Sequence, residues 1–330
     1  MIQLGKFERY LIEEFFDDYR SGAITRSAFT RRVAFITGSM AEASAAMLLV
    51  GCTPEEVPSG TDPMPGPEAP SATAGTGPAA SGAVPGAKSP LSVPEGAAGL
   101  TTSAVRFPSR GTDISGYLAR PDVAANGPSP KGPAVLVCHE NRGLNPHIQD
   151  VARRFAKAGY VALAPDLLSR EGGTSNMDAD AVPGALTRAG AKRHVSDFAA
   201  AFDYLRSQDF VDPERIAMTG YCFGGGITWQ ASTELSGLKA TAAFYGPAPD
   251  LDKVAGIKAA VFGVYAELDR RITGAMPALR DALAAHNVRH QLTVYPGVDH
   301  AFHNDTGERY NEAQATAAWN DTLAWFGRYV

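Results

Sequence analysis

Arg215-Ile216-Ala217-Met218-Thr219-Gly220-Tyr221-Cys222-Phe223-Gly224-Gly225-Gly226 is the stretch on which the reading of this 330-residue chain turns. Arg215–Thr219 has the short, mostly apolar run of a strand, and a helix is predicted to start among the glycines. Between them lies the pattern Gly-x-nucleophile-x-Gly, with Cys222 in the nucleophile position. A turn sharp enough to lift one side chain out of a sheet leaves no room for a Cβ at 220 or 224. The helix that follows aims its N-terminus at the thiol, which favours the thiolate. A phosphate-binding loop is the rival reading of such a turn. It is disfavoured here, because the stretch has neither the strict Gly-x-Gly-x-x-Gly spacing nor a following Lys-Ser/Thr.

Outward from this turn, apolar runs alternate with helical stretches. Ala134–His139 (AVLVCH) reads as a strand buried on both faces. Asn145-Pro146 gives an N-cap with proline in the first turn of a helix that closes at Gly159. Strands are predicted at Tyr160–Ala164, Ala240–Tyr245, Ala259–Tyr265 and His290–Tyr295. Helices are predicted near Lys192–Ser207, Gly274–His286 and Arg309–Tyr329, and an antiparallel pair opens the series at Ser103–Phe107 and Asp113–Arg120. Repeated β-α-β units imply a single catalytic domain over residues 101–330, a mostly parallel sheet with helices on both faces.

Two partners for Cys222 follow in chain order. Asp269 lies just past the strand Ala259–Tyr265, and His300 just past the last strand. Nucleophile, acid, histidine is the order of the α/β-hydrolase fold, and each residue follows a strand's C-terminal end, where parallel sheets form their sites. Glu267 and Asp299 are rival acids, ranked below Asp269. In this arrangement Cys222 attacks a carbonyl, His300 carries the proton and Asp269 orients the imidazole. Cys138 reads as a buried, inert thiol.

These motifs resemble the dienelactone hydrolase (carboxymethylenebutenolidase) family over about residues 101–330. The elbow Gly220-Tyr221-Cys222-x-Gly224-Gly225 and the segment Val137-Cys138-His139-Glu140-Asn141-Arg142-Gly143-Leu144-Asn145 carry the likeness, with Ala164-Pro165-Asp166-Leu167 and Phe244-Tyr245-Gly246 in support. The resemblance implies that Glu140 hydrogen-bonds the resting Cys222 thiol and keeps it neutral. It also implies an oxyanion hole built from the backbone N–H groups of Phe223 and Asn141. Arg142, Tyr221, His303 and Asn304 are candidate substrate contacts. The chain departs from the family at Asn304, where an arginine would bind the substrate carboxylate; Arg170 and Arg188 are candidates for the family's other carboxylate-binding arginine. Residues 168–193 are expected to cap the pocket. The chemistry needs no metal or cofactor.

Composition sets the outer limits. Apolar residues make up 45% of the chain and charged residues 20%, with a net charge of −5, so nucleic acid is a poor partner. Three cysteines exclude a disulfide scaffold and a four-thiolate zinc site. Residues 53–100 hold 10 of the 23 prolines, and Pro, Gly, Ala, Ser and Thr fill 36 of those 48 positions. Such a segment reads as a disordered tether, spanning on the order of 40 Å as a flexible coil.

Ahead of it, Phe7–Tyr19 reads as a short, charged amphipathic helix. Arg31-Arg32, a mildly apolar stretch and the lipobox-like end Leu49-Val50-Gly51-Cys52 then suggest an export leader whose Cys52 would be lipidated, tethering the enzyme to a membrane. The leader likewise resembles a branch of the family with export signals. An uncleaved leading helix in a cytoplasmic enzyme is the other reading, supported by the 30 residues ahead of the arginines and by Glu42 within the apolar stretch. The expected protein is thus a monomeric hydrolase of small carboxylic esters or lactones. Two alternatives stand beside it: a cell-envelope thioesterase or acyltransferase, and a non-catalytic tethered binding protein on the same scaffold.

Overall fold

In the computed structural model, which describes residues 3–53, 56–59, 62, 64–65, 83–122 and 131–330, one eight-stranded sheet carries the C-terminal two-thirds of the chain. Three helices precede it: α1 (Lys6–Arg20), α2 (Arg26–Thr37) and α3 (Met40–Leu49). The antiparallel pair β1 (Leu100–Ser109) and β2 (Thr112–Pro121) opens the sheet; β3 (Gly132–Cys138), α4 (Pro146–Lys157) and β4 (Val161–Pro165) follow. Then come α5 (Val182–Ala189), α6 (Ala191–Arg206), β5 (Val211–Tyr221), α7 (Phe223–Glu234) and β6 (Ala240–Phe244). The chain ends with β7 (Ala260–Ala266), α8 (Arg270–Thr273), α9 (Met276–Ala285), β8 (His290–Tyr295) and α10 (Glu312–Tyr329).

The strand order is β1-β2-β4-β3-β5-β6-β7-β8. Strand β2 pairs antiparallel with both β1 and β4, and every later pairing is parallel. The mostly parallel sheet of the α/β-hydrolase fold, expected from the alternation of elements, is therefore what the chain forms. Strands β3, β4, β6 and β7 are apolar because helices cover both faces; Ala134–Cys138, Val161–Pro165, Ala240–Phe244 and Ala260–Ala266 are all buried. Asn145 caps α4 through Ile148 N–H at 3.1 Å, and Gly159 supplies the positive φ (96°) that ends the turn after it.

The elbow is cut as its glycines require. Cys222 has φ 56° and ψ −119°, a strained conformation for a residue with a side chain, between the end of β5 and the start of α7. A Cβ on Gly220 would run into the Gly224 carbonyl, and one on Gly224 into the carbonyls of Cys138 and His139.

The described residues ahead of β1 form more structure than a leader and a tether imply. Instead of standing apart from the catalytic domain, α1–α3 pack on it, burying Leu11, Ile12, Phe15, Phe29, Val33 and Met47 in the common core. The two arginines have structural partners: Arg31 pairs with Asp178 (2.5 Å) and Asp180 (3.1 Å), and Arg32 with Asp180 (2.9 Å). Cys52 is buried where the chain leaves α3. Among the described residues no helix is long and apolar enough to cross a membrane.

The tether reading also needs correction at its C-terminal end. Residues 83–99 lie against the domain: the Val93 amide donates to Asp150 at 2.6 Å, Arg153 binds the Val93 carbonyl (2.6 Å) and Glu95 (2.7 Å), and the Ser89 amide donates to Asp305 at 3.1 Å. Proline-rich sequence has few apolar side chains, but here Val84 and Val93 are buried and the backbone groups of Ser89 and Val93 are held by charged side chains, which together fix this strap. Residues 66–82 of the segment lie outside the described residues.

Candidate active site

Three strand ends bring the expected residues together. Cys222 follows β5, Asp269 immediately precedes α8 after β7, and His300 lies in the loop after β8. All three are buried. His300 Nδ1 is 2.6 Å from Asp269 Oδ2, so the imidazole donates to the acid that was expected to orient it. The rival acids serve the turns instead. Asp299 accepts the His300 amide at 2.7 Å, and Glu267 accepts the Gly297 amide at 2.7 Å.

The other side of this group is closed by residues that sequence reading did not nominate. Tyr10 and Glu14, one turn apart on α1, reach the thiol and the imidazole. Tyr10 Oη lies 3.3 Å from both Cys222 Sγ and His300 Nε2. Glu14 Oε2 accepts from the thiol at 3.3 Å and lies 3.7 Å from His300 Nε2, while Oε1 accepts from Asn141 Nδ2 at 3.1 Å. The signal was present in Phe7–Tyr19. Carboxylates at 14 and 18 share a face with Tyr10, Leu11 and Phe15, and a buried acid on an apolar helix face demands a polar partner. Nothing local says that the partner lies 208 residues away.

Glu140 is not where the resemblance placed it. It is buried, but its Oε2 accepts from Asn304 Nδ2 at 2.6 Å and it makes no hydrogen bond to the thiol; Glu14 holds that place. The Asn304 amide thus holds the Glu140 carboxylate, while Glu14 fills the place at the thiol. Among the candidate substrate contacts, Arg142 is exposed. Tyr221 and His303 are buried and stacked on each other with centroids 5.0 Å apart, so they form the packing beneath the elbow. Arg170 is spent on Asp197 (2.6 Å) and the Ser109 carbonyl (2.9 Å), and Arg188 donates to the Phe35 carbonyl. Residues 168–193 do not cover the thiol themselves: they seat α2, through Asp178 and Asp180, and α1 does the covering. Cys138 ends β3, and all three cysteines are free and buried.

The electrostatics follow from burial and from two carboxylates. Burial pushes the Cys222 thiol well above its ordinary pKa, and Glu14 and Glu140 push it further; hydrogen bonds from Tyr10 and the Phe223 amide only partly oppose them. Burial works to lower the pKa of His300, but Glu14 and Asp269 outweigh it and hold the imidazole above its usual value. Burial likewise opposes ionisation of Asp269, yet His300 and then Arg271 keep its pKa low. The same surroundings thus disfavour the thiolate on Cys222 and favour the proton on His300, which Glu14 and Asp269 flank from its two sides.

Two arginines stand at its edge. Arg271, on α8, binds Asp17 at 2.8 Å and lies 3.6 Å from Asp269; Arg309 binds Asp18 at 2.9 Å. Glu14, Cys222 and His300 also place a carboxylate oxygen, Sγ and Nε2 within 4.8 Å of one another, a donor set that zinc accepts. Behind His300, its loop is anchored by Asp305, which meets His147 at 3.0 Å and Arg154 at 2.8 Å.

Comparison with known proteins gives the family and the fold. Residues 114–330 match the profile of the dienelactone hydrolase family. A Salmonella typhi protein assigned as a carboxymethylenebutenolidase is 36% identical over 271 residues, covering 77% of this chain and 96% of that one. A Klebsiella pneumoniae structure assigned as a dienelactone hydrolase superposes with a TM-score of 0.64 at 31% identity, covering 70% of this chain and 99% of its own. A dienelactone hydrolase-like promiscuous phosphotriesterase from metagenomic libraries, with TM-score 0.63 and 23% identity, shares the fold. By its elbow, its strand order and these likenesses, the chain belongs to the dienelactone hydrolase family and is a carboxylic ester hydrolase of the carboxymethylenebutenolidase type.

Proposed function

We propose that this enzyme cleaves small carboxylic esters or lactones through Cys222, His300 and Asp269, by way of an acyl-thioester on Cys222. The observation that carries the proposal is the buried 2.6 Å hydrogen bond between Asp269 and His300, set beside a thiol on a strained elbow. Asp269 fixes the tautomer, with the proton on Nδ1 and the Nε2 lone pair free to take another. Glu14 stands against both Sγ and Nε2, so it must be drawn away before a substrate carbonyl can reach them. The Cys222 proton then passes to Nε2 and the thiolate attacks the carbonyl carbon. As the tetrahedral intermediate collapses, the C–O bond breaks and the alkoxide leaves with the Nε2 proton. Water attacks the thioester, its proton passes to His300, and the C–S bond breaks to release acid and thiol.

Phe223 opens α7, and an amide in the first turn of a helix has no carbonyl partner within it. Its amide, with that of Asn141 on the loop after β3, is the proposed oxyanion hole. The substrate alcohol and acyl chain are left open by this mechanism, so a short aryl ester, a neutral lactone and a carboxylate-bearing dienelactone make a fair panel. Wild-type turnover with at least about a thousandfold loss in Cys222→Ala is the expected result. Retention of most of the rate by that variant would remove Cys222 from the mechanism.

A further inference from the structure

Helix α1 brings three acids to one place. Glu14 sits on the thiol, on Asn141 and near His300, Asp17 pairs with Arg271, and Asp18 pairs with Arg309. Two of the three, Glu14 and Asp18, are buried. A carboxylate held against the nucleophile, with its second oxygen taken by the loop that would supply the oxyanion hole, occupies the position of the acid product of ester cleavage. Both arginines are rooted next to the catalytic residues: Arg271 two residues after Asp269, and Arg309 at the far end of the His300 loop. Arg309 also acts electrostatically on Glu14 and Cys222, as Arg271 does on Glu14 and His300, so their charge already reaches the reacting atoms.

We infer that α1 is an intramolecular, product-like plug, and that the site it fills is built for an anionic acyl substrate anchored by Arg271 and Arg309. When α1 withdraws, Asp17 and Asp18 leave with it. The two guanidiniums then face the opened thiol without their acids, although Asp269 stays within 3.6 Å of Arg271. This supplies a carboxylate anchor that Asn304, engaged with Glu140, does not. The plug belongs to this chain's own N-terminal extension, since α1 lies outside the segment that matches the family. The substrate half of the inference rests on the hydrolase proposed above; the plug and the anion seat do not.

Labelling of Cys222 separates the two. Iodoacetate and iodoacetamide alkylate the same thiol and differ in charge, so their rate ratio at Cys222, read by peptide mass in the full chain, reports a cationic seat without any hydrolysis. In the wild type both reagents should label Cys222 slowly. Asp17→Asn/Asp18→Asn should accelerate labelling at least about tenfold and shift the ratio toward iodoacetate. Adding Arg309→Gln should abolish that shift, and Arg309→Lys should restore part of it. The same Asp17→Asn/Asp18→Asn chain should gain more in kcat/KM on a carboxylate-bearing aryl ester than on aryl acetate.

Unchanged labelling in the double variant, or acceleration with no preference for iodoacetate, would overturn the inference. If Cys222-dependent ester cleavage continued in that second case, the proposed function would survive it. The expected labelling pattern with no ester cleaved by any form would uphold the plug and the seat while overturning the hydrolase reading.

Discussion

At the residue scale, the chemistry of the site is set by which carboxylate faces the thiol. Glu140 and Glu14 were both available, and only one has its oxygen on Sγ. Glu14 faces Cys222 from α1 together with Tyr10, while Glu140 and His300 face it from the sheet side. A neighbouring negative charge disfavours the thiolate, so removing it must lower the thiol pKa. Glu14→Gln should therefore move the pH midpoint of iodoacetamide labelling at Cys222 downward, by roughly one unit or more; an unchanged midpoint would place Glu14 outside the electrostatics of the thiol. The grouping of Cys222, Asp269 and His300, proposed above as a triad, was legible because each residue follows a strand end in a fixed chain order. The place of Glu140 was not, because Glu14, from a helix far earlier in the chain, takes the thiol and Asn304 holds Glu140 instead.

At the element scale, two pieces position the site and answer to different forces. The His300 loop is held by charge. Burial opposes ionisation of Asp305, but His147 and Arg154 outweigh it and hold its pKa far below the ordinary carboxylate value. A carboxyl with a depressed folded pKa contributes stability that is present above its unfolded pKa and is lost as pH falls through the folded one. Asp305→Asn should thus destabilise the enzyme at pH 7 by about 3 kcal/mol, because it leaves the Arg154 charge underpaired. Urea unfolding should show the gap between variant and wild type shrinking below the ordinary carboxylate range; a gap constant with pH would contradict this account.

Helix α1, by contrast, is held largely by apolar burial. Leu11→Ala should weaken its docking by about 2–5 kcal/mol and expose the thiol to iodoacetamide. Labelling at the wild-type rate would show that α1 keeps the site closed without that contact. That Phe7–Tyr19 forms a helix could be read from its periodicity. Its destination could not, because the acids on its buried face name the kind of partner they need and not where the chain supplies it.

At the scale of the whole molecule, a sheet that could be read from sequence carries an N-terminal third that could not. The alternation of strands and helices from residue 134 onward matches the sheet closely, since a strand buried on both faces has little choice of residues. Compositional reasoning fails where backbone and charge do the holding. Residues 83–99 dock through Asp150, Arg153 and Asp305 as well as through Val84 and Val93, and Arg31 and Arg32 spend their charge on Asp178 and Asp180.

The claim on which the rest depends is that Cys222 becomes acylated. The most direct measurement is rapid acid quench of the full chain during turnover of an aryl ester, followed by peptide mass analysis. The account predicts the acyl mass on the Cys222 peptide, absent from those of Cys52 and Cys138, and accumulating in step with release of the aryl alcohol. Turnover with no adduct on Cys222, and undiminished in Cys222→Ala, would contradict it.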